Sequence, residues 1–290
     1  MKTLGIIGLG AMGHPIAHHL IRQGFTLYTT VRSERSRKKA EELGIQVLQN
    51  HQEFAQVTDR ILLIVSNYAQ CADCLLGDTG IFSTLKRGTI ILSSTVDPRD
   101  AEALDAACPE GVELIDAPVS GGAIGAEKGT LVTMTAGSKD AVDACRDIFD
   151  SYCRKVVYVG NKAGQAQSVK AVNQMLVGIH MAATAEAMAL STALGIDPQA
   201  MFETISDCAG NSNIFQSRMP KLIAGDYSAR ASLETLEKDT KICMDLADTA
   251  HVPCYLTEIC HDLFSRTPRT EANMEDACAV IRLYQTDMEN

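Results

Sequence analysis

The sequence predicts an α/β protein with a doubly wound, mostly parallel sheet over residues 1–162, a long linking helix, and an all-helical domain over residues 163–290. Three observations predict it. Short apolar runs alternate with helix-favouring stretches through the first half of the chain. The glycine-rich segment Gly8-Leu9-Gly10-Ala11-Met12-Gly13 stands between the first apolar run and the first helical stretch. From residue 164 to 194 the chain is helix-favouring, rich in Ala, Met, Val and Glu, and free of proline.

The strands follow in order. Leu4-Gly5-Ile6-Ile7 reads as a buried first strand and residues 25–31 as a β-rich second. Ile61-Leu62-Leu63-Ile64-Val65 and Thr89-Ile90-Ile91-Leu92 are the next two, and residues 112–115 and 131–135 continue the series. Runs that are apolar throughout, rather than alternating with polar residues, belong to a sheet covered on both faces. Helical stretches over residues 11–23 and 98–107 supply such cover. Past residue 160 the strand signal stops. Gly195 and Pro198 mark a stop and restart, and Pro220, Pro253 and Pro268 break the remaining helical sequence.

The chain has 290 residues, 46% hydrophobic and 21% charged, which is the range of a globular protein. A net charge of −10 argues against nucleic acid and anionic membrane surfaces as partners. The first ten residues lack the charged-then-apolar pattern of a signal peptide, and no uninterrupted apolar run approaches a membrane span, so a cytoplasmic protein is expected. Ten cysteines then read as reduced thiols. Cys71 and Cys74 form a lone C-x-x-C without the second pair that a zinc site needs, and no metal is expected.

Gly8, Gly10 and Gly13 form a G-x-G-x-x-G in a strand-to-helix context. There the first glycine allows a tight turn, the second lets backbone approach a pyrophosphate, and the third lets helix pack on strand. The helix N-terminus adds partial positive charge. The motif makes the N-terminal domain a Rossmann-type dinucleotide-binding domain, with Gly8, Leu9, Gly10, Ala11, Met12 and Gly13 as cofactor contacts. The other reading is a glycine-rich βα turn with no ligand. NAD sites usually place an acid after the second strand, for the ribose 2′-hydroxyl. Here Thr30-Val31-Arg32-Ser33 stands there, with no acid until Glu34, and Arg32, Arg35 and Arg37 cluster with Ser33 and Ser36. Arg32 and Ser33 suit a 2′-phosphate, because guanidinium binds phosphate bidentately. NADP is therefore the expected cofactor, with NAD the alternative. A solvated, basic helix start is the competing reading.

Four blocks carry a family resemblance. Gly5-Ile6-Ile7-Gly8-Leu9-Gly10-Ala11-Met12-Gly13, then Asp116-Ala117-Pro118-Val119-Ser120-Gly121-Gly122 with Gly125-Ala126 and Gly129-Thr130-Leu131, then residues 164–173, and finally Lys238-Asp239 occur in this order over nearly the whole chain. Together they resemble the 3-hydroxyisobutyrate dehydrogenase group of β-hydroxyacid dehydrogenases. The second half is similar to the L-threonate dehydrogenase branch, through Asn173-Gln174-Met175-Leu176-Val177-Gly178-Ile179-His180, Ala185-Glu186-Ala187-Met188, Ala209-Gly210-Asn211-Ser212 and Gly225-Asp226-Tyr227. The resemblance implies hydride transfer between NAD(P) and a small hydroxy acid, here a four-carbon sugar acid such as L-threonate. One departure is Val31-Arg32, where that branch generally has an acid.

Lys170, Asn173 and Gln174 fall at i, i+3 and i+4 and share one helix face. A lysine on a mostly apolar helix is costly to bury unless its charge is used. Desolvation lowers a lysine pKa, and such a group serves as proton acceptor or donor at an alcohol carbon. The resemblance assigns that role to Lys170. It implies that Asn173 hydrogen-bonds the substrate, with Gln174 standing where many relatives carry a second Asn. Ser120, Gly121 and Gly122 form a loop whose N–H groups can make a nest for a carboxylate, or else a plain tight loop. The resemblance makes Thr95 and Lys238 cofactor contacts, with Asp239 orienting or neutralising Lys238. A surface lysine is the competing reading of Lys170. His18, His19 and His180 read as packing or surface residues.

Two other functions are weighed. One is a semialdehyde reductase using the same site, acting on tartronate semialdehyde or a similar compound. The second is a non-catalytic dinucleotide-binding protein, which would have no need of Lys170, Asn173 or the Ser120 loop. A long apolar helix leading into a helical domain often packs against a partner subunit, so a homodimer or homotetramer is expected.

Overall fold

Two faces of apolar side chains on the strands decide the N-terminal half. The computed structural model describes residues 2–270 and 275–288. Nine strands form one sheet: β1 (Lys2–Ile7), β2 (Phe25–Thr29), β3 (Gln46–Val47), β4 (Arg60–Leu63), β5 (Gly88–Leu92), β6 (Val112–Asp116), β7 (Val119–Ser120), β8 (Leu131–Ala136) and β9 (Cys153–Gly160). Their order is β3-β2-β1-β4-β5-β6-β8-β7, with β9 on β8. The first six are parallel to one another. β8 runs antiparallel to β6 and β7 and parallel to β9.

Successive residues of the inner strands enter opposite cores. Leu62 and Ile91 pack with Ile16 and Leu20 on one face, while Ile61, Leu63, Ile90 and Leu92 pack with Cys71, Leu75 and Leu104 on the other. Strand side chains alternate between faces, so an unbroken apolar run has a partner on both sides. The covering helices are α1 (Gly13–Arg22), α2 (Glu34–Glu42), α3 (Phe54–Val57), α4 (Tyr68–Leu75), α5 (Pro98–Ala106), α6 (Gly122–Lys128), α7 (Lys139–Ala144) and α8 (Arg146–Phe149). Cys71 and Cys74 are both buried in α4, and burial pushes the Cys74 thiol up from its ordinary value. The pair contributes apolar packing.

A 29-residue helix, α9 (Gln165–Ala193), follows β9. Then come α10 (Pro198–Ser206), α11 (Asn213–Ala224), α12 (Leu233–Ala250), α13 (Tyr255–Arg266) and α14 (Ile281–Met288). The chain divides into two compact units, Met1–Lys170 and Ala171–Asn290. The second has its own core, in which Met181 and Ala185 of α9 meet Phe215, Met219, Leu236 and Phe264. Among the described residues beyond 200, strand pairing is limited to two isolated bridges, Ser228 with Glu275 and Ser232 with Asp276.

By length and composition alone, α9 is apolar enough to cross a membrane, one 18-residue stretch of it having a mean hydropathy of 1.2. This differs from the expectation drawn from uninterrupted apolar runs. That stretch is rich in alanine, methionine and leucine but holds His180 and Glu186, and the helix before it carries Lys170, Asn173 and Gln174. Its buried Met181, Ala182, Ala185 and Met188 belong to the core of the helical unit.

Candidate functional site

The chain doubles back at the middle of the sheet. From β1 it goes to β2 and β3 on one side, then returns to β4 on the other. Such a switch point opens a crevice at the carboxyl ends of the strands. The turn from β1 to α1 lies there. Gly8 has φ +105°, and a Cβ on it would lie 2.1 Å from the Ile64 carbonyl oxygen. A Cβ on Gly13 would lie 1.7 Å from the Gly8 carbonyl oxygen. Gly10, by contrast, is exposed, and a Cβ there would meet nothing within 4 Å. Two glycines are thus required by the protein itself, whereas the space over Gly10 is left for something else. That space fits a pyrophosphate. Leu9 is buried and Met12 packs on the same core, which fixes the turn from beneath, and Ala11 is exposed. Lys39 of α2, which the sequence did not single out, brings its Nζ to 3.5 Å from the Leu9 carbonyl oxygen and sets a cation beside the turn.

At the end of β2, Ser33 caps α2, its Oγ accepting the Ser36 N–H at 3.2 Å. Arg32 is exposed and paired with Asp73 of α4. Arg35 and Arg37 are exposed on α2.

Three segments distant in sequence are tied together at the ends of β5 and β6. Asp116 is fully buried. Its Oδ2 accepts N–H groups of Gly164, Ala166 and Gln167 at 2.9, 3.0 and 3.1 Å, and its Oδ1 accepts Gln167 Nε2 at 2.9 Å. A carboxylate at a helix N-terminus satisfies orphan donors and complements the dipole. Burial pushes the Asp116 carboxyl up to about 6, against these four donors, which favour the ionised form. Gln167 also donates from Nε2 to the Ser94 carbonyl at 3.0 Å and accepts the Val96 N–H on Oε1 at 3.2 Å. Both ends of its amide are used, and the loop between them carries Thr95. One turn further along α9 comes Lys170, 6% exposed.

Ser120 ends β7, paired with Val132 of β8. Gly121 and Gly122 follow with φ of +130° and +61°, the left-handed region that glycine enters without strain. A Cβ on Gly121 would sit 2.9 Å from Leu131 Cδ2. The loop is a tight, left-handed pair of peptides leading into α6.

In the helical unit, Asn173 Nδ2 donates to Gln174 Oε1 at 3.0 Å. Gln174 Nε2 donates to Asp239 Oδ2 at 2.6 Å, and Lys238 Nζ donates to Asp239 Oδ1 at 2.7 Å. Asp239 is 2% exposed, so its charge is matched by Lys238. Close packing allows this row: a Cβ on Gly178 would lie 3.0 Å from Thr240 Cγ2, so small Gly178 lets α9 and α12 approach.

Residues 3–160 match the family model for the NAD binding domain of 6-phosphogluconate dehydrogenase, and residues 164–284 match the one for the NAD-binding domain of NADP-dependent 3-hydroxyisobutyrate dehydrogenase. The chain belongs to the β-hydroxyacid dehydrogenase family. It is similar to an L-threonate dehydrogenase of Haemophilus influenzae, 35% identical over 97% of this chain and 95% of that one. A 2-(hydroxymethyl)glutarate dehydrogenase of Eubacterium barkeri is 31% identical over 97% and 94% of the two chains. The crystal structure of a 3-hydroxyisobutyrate dehydrogenase from Salmonella typhimurium superposes with a TM-score of 0.86 at 31% identity, covering 98% of this chain and all of that one. This dehydrogenase is an NAD(P)-dependent oxidoreductase of hydroxy acids, and the expected sheet, long helix and helical domain are those of its family.

The resemblance took in the dehydrogenase's Asp116 and the segment holding Gln167, but nothing in the sequence pointed to a bond between them. A carboxylate at a strand end and a Gln in a helix's first turn are each commonplace, and they are 51 residues apart. Asp116→Asn tests the tie. An amide offers one acceptor oxygen, so either the three backbone N–H groups or Gln167 Nε2 would face an NH₂. Flipping the Gln167 amide would break its bonds to Ser94 and Val96. Each unsatisfied buried donor costs about 1–3 kcal/mol, so a lowered urea midpoint is expected. An unchanged midpoint would show that the tie contributes nothing to stability.

Proposed function

We propose that the dehydrogenase oxidises a four-carbon sugar acid such as L-threonate to the keto acid, with NADP preferred over NAD. The observation that supports this reading is the Asp116–Gln167 tie, which joins the first turn of α9, the helix that carries Lys170, to the loop bearing Thr95 at the carboxyl edge of the sheet. Residues 1–162 are the dinucleotide-binding part and 163–290 the part for substrate and dimerisation. Gly8, Leu9, Gly10, Ala11, Met12, Gly13 and Thr95 would bind the cofactor, Arg32 and Ser33 would hold its 2′-phosphate, and Lys238 would serve as a further cofactor contact. Bound NAD(P) supplies the hydride acceptor at C4 of the nicotinamide. Lys170 Nζ, unprotonated, takes the hydroxyl proton, and the O–H electron pair forms the carbonyl as the carbon bearing that hydroxyl gives up its hydride. In the reverse direction, protonated Lys170 returns that proton to the carbonyl oxygen. Peptide N–H groups at Ser120, Gly121 and Gly122 hold the substrate carboxylate, and Asn173 and Gln174 orient its hydroxyls. A spectrophotometric panel of three- to six-carbon hydroxy acids, with each dinucleotide, tests the reading. Turnover of tartronate semialdehyde alone would favour the reductase, and none at all with cofactor binding retained would favour a binding protein.

Arg32→Asp is expected to weaken NADP far more than NAD, because a bidentate phosphate contact is replaced by like charge. A higher kcat/KM with NAD in the unaltered enzyme would refute the assignment. The enzyme is expected to be a homodimer or homotetramer. On α13, Tyr255, Leu256 and Ile259 are 71, 60 and 58% exposed and adjoin one another at helical spacing. Leu256→Glu should lower the mass in sedimentation equilibrium, and a monomeric unaltered enzyme would contradict the assembly. All ten cysteines are free thiols, in keeping with a cytoplasmic enzyme.

A further inference from the structure

Residues 30–33, which follow β2, carry no acid before Glu34 opens α2, but a second acid reaches Arg32 in space. Arg32, in the loop after β2, pairs with Asp73 of α4, and its Nη2 also lies 3.8 Å from Cys74 Sγ. α4 follows β4, and β1 lies between β2 and β4. The ion pair therefore links the segments that flank the glycine turn of β1 on either side. Side-chain exposures of 54% for Arg32 and 66% for Asp73 leave both open to a ligand. An exposed ion pair contributes little to stability, so the fold does not account for it and it opens at small cost. Behind it, Thr30 Oγ1 lies 2.9 Å from His51 Nδ1. Burial, then Arg32, lowers the His51 pKa, against a smaller opposite effect of Asp73, which favours the neutral imidazole beside the ion pair.

We propose that Asp73 is the carboxylate that accepts the ribose 2′-hydroxyl of NAD, while Arg32 takes the 2′-phosphate of NADP, so that one ion pair reads both dinucleotides. This rests on the reading of Arg32 as a phosphate contact. With NAD, Arg32 stays on Asp73, whose remaining lone pairs accept the hydroxyl. With NADP, the phosphate displaces Asp73 from the guanidinium, and the two anions repel. Asp73 thus favours NAD twice, by accepting from its hydroxyl and by competing for the arginine.

The test measures Kd for NAD and NADP by fluorescence titration of the intact enzyme, for the unaltered protein, Asp73→Asn, Arg32→Ala and the double variant. Asp73→Asn is expected to raise Kd for NAD about ten-fold, the scale of a hydrogen bond to a charged group, and to lower Kd for NADP. In the Arg32→Ala background the NAD effect of Asp73→Asn should persist. An unchanged NAD Kd in Asp73→Asn, a raised NADP Kd, or loss of the NAD effect once Arg32 is absent would each overturn the proposal. Arg32→Ala without effect on NADP would instead remove the arginine from the phosphate site, while the NAD arm still decides for or against Asp73.

Discussion

Lys170→Ala is expected to lower kcat by about 10²- to 10⁴-fold, the usual contribution of a positioned acid–base group, while Kd for the dinucleotide stays close to normal. The two effects separate because the turn over Gly8, Gly10 and Gly13 is held by β1, α1 and Ile64, none of which depends on Lys170. Lys170→Arg should be nearly as poor, since arginine does not give up its proton at ordinary pH. Steady-state kinetics on the best substrate, beside cofactor titration by fluorescence, provides both readouts. Near-normal turnover in Lys170→Ala would take this residue out of the chemistry and leave Lys238, already paired with Asp239, as the next proton carrier to test.

Alanine at Gly10 and at Gly13 should fail in opposite ways. At Gly13 the added Cβ would fall 1.7 Å from the Gly8 carbonyl oxygen, a backbone atom that cannot swing aside. Overpacking of this kind typically costs about 1–3 kcal/mol and occasionally more, and the upper end is expected, with a lower melting temperature even without cofactor. At Gly10 the same Cβ meets no protein atom within 4 Å. Gly10→Ala should therefore melt as the unaltered enzyme does. Its Cβ would occupy the approach of the pyrophosphate, and the same 1–3 kcal/mol then falls on binding, about 5- to 150-fold in Kd. Tight cofactor binding by Gly10→Ala would move the pyrophosphate away from this turn.

The buried strands were the most legible part of the fold. Runs such as Ile61-Leu62-Leu63 have no polar face, and only a sheet with helices on both sides gives every residue a core. β9 was not legible. Its apolar run Val156-Val157-Tyr158-Val159 follows exposed Arg154 and Lys155, Tyr158 is itself exposed, and the strand pairs with β8 only, so it lacks the two-sided burial of an inner strand. The glycine turn could be read because each glycine answers a local demand of backbone geometry. Gln167 and Asp73 act through partners 51 and 41 residues away, and no spacing rule reports such a meeting. The family resemblance supplied Lys170, Ser120 and Lys238, but it was silent about what holds them in place.

Asp116 also sets where the dinucleotide-binding half can be severed from the helical half. A fragment ended at residue 162 would keep the sheet but bury a carboxylate stripped of Gly164, Ala166 and Gln167, which supply its four hydrogen-bond donors. A buried charge without partners is among the costliest defects a fold can carry. Any chimera that transplants this half onto a foreign helical half must carry the chain through Gln167. The first turn of the long helix is, in chemical terms, the last piece of the sheet.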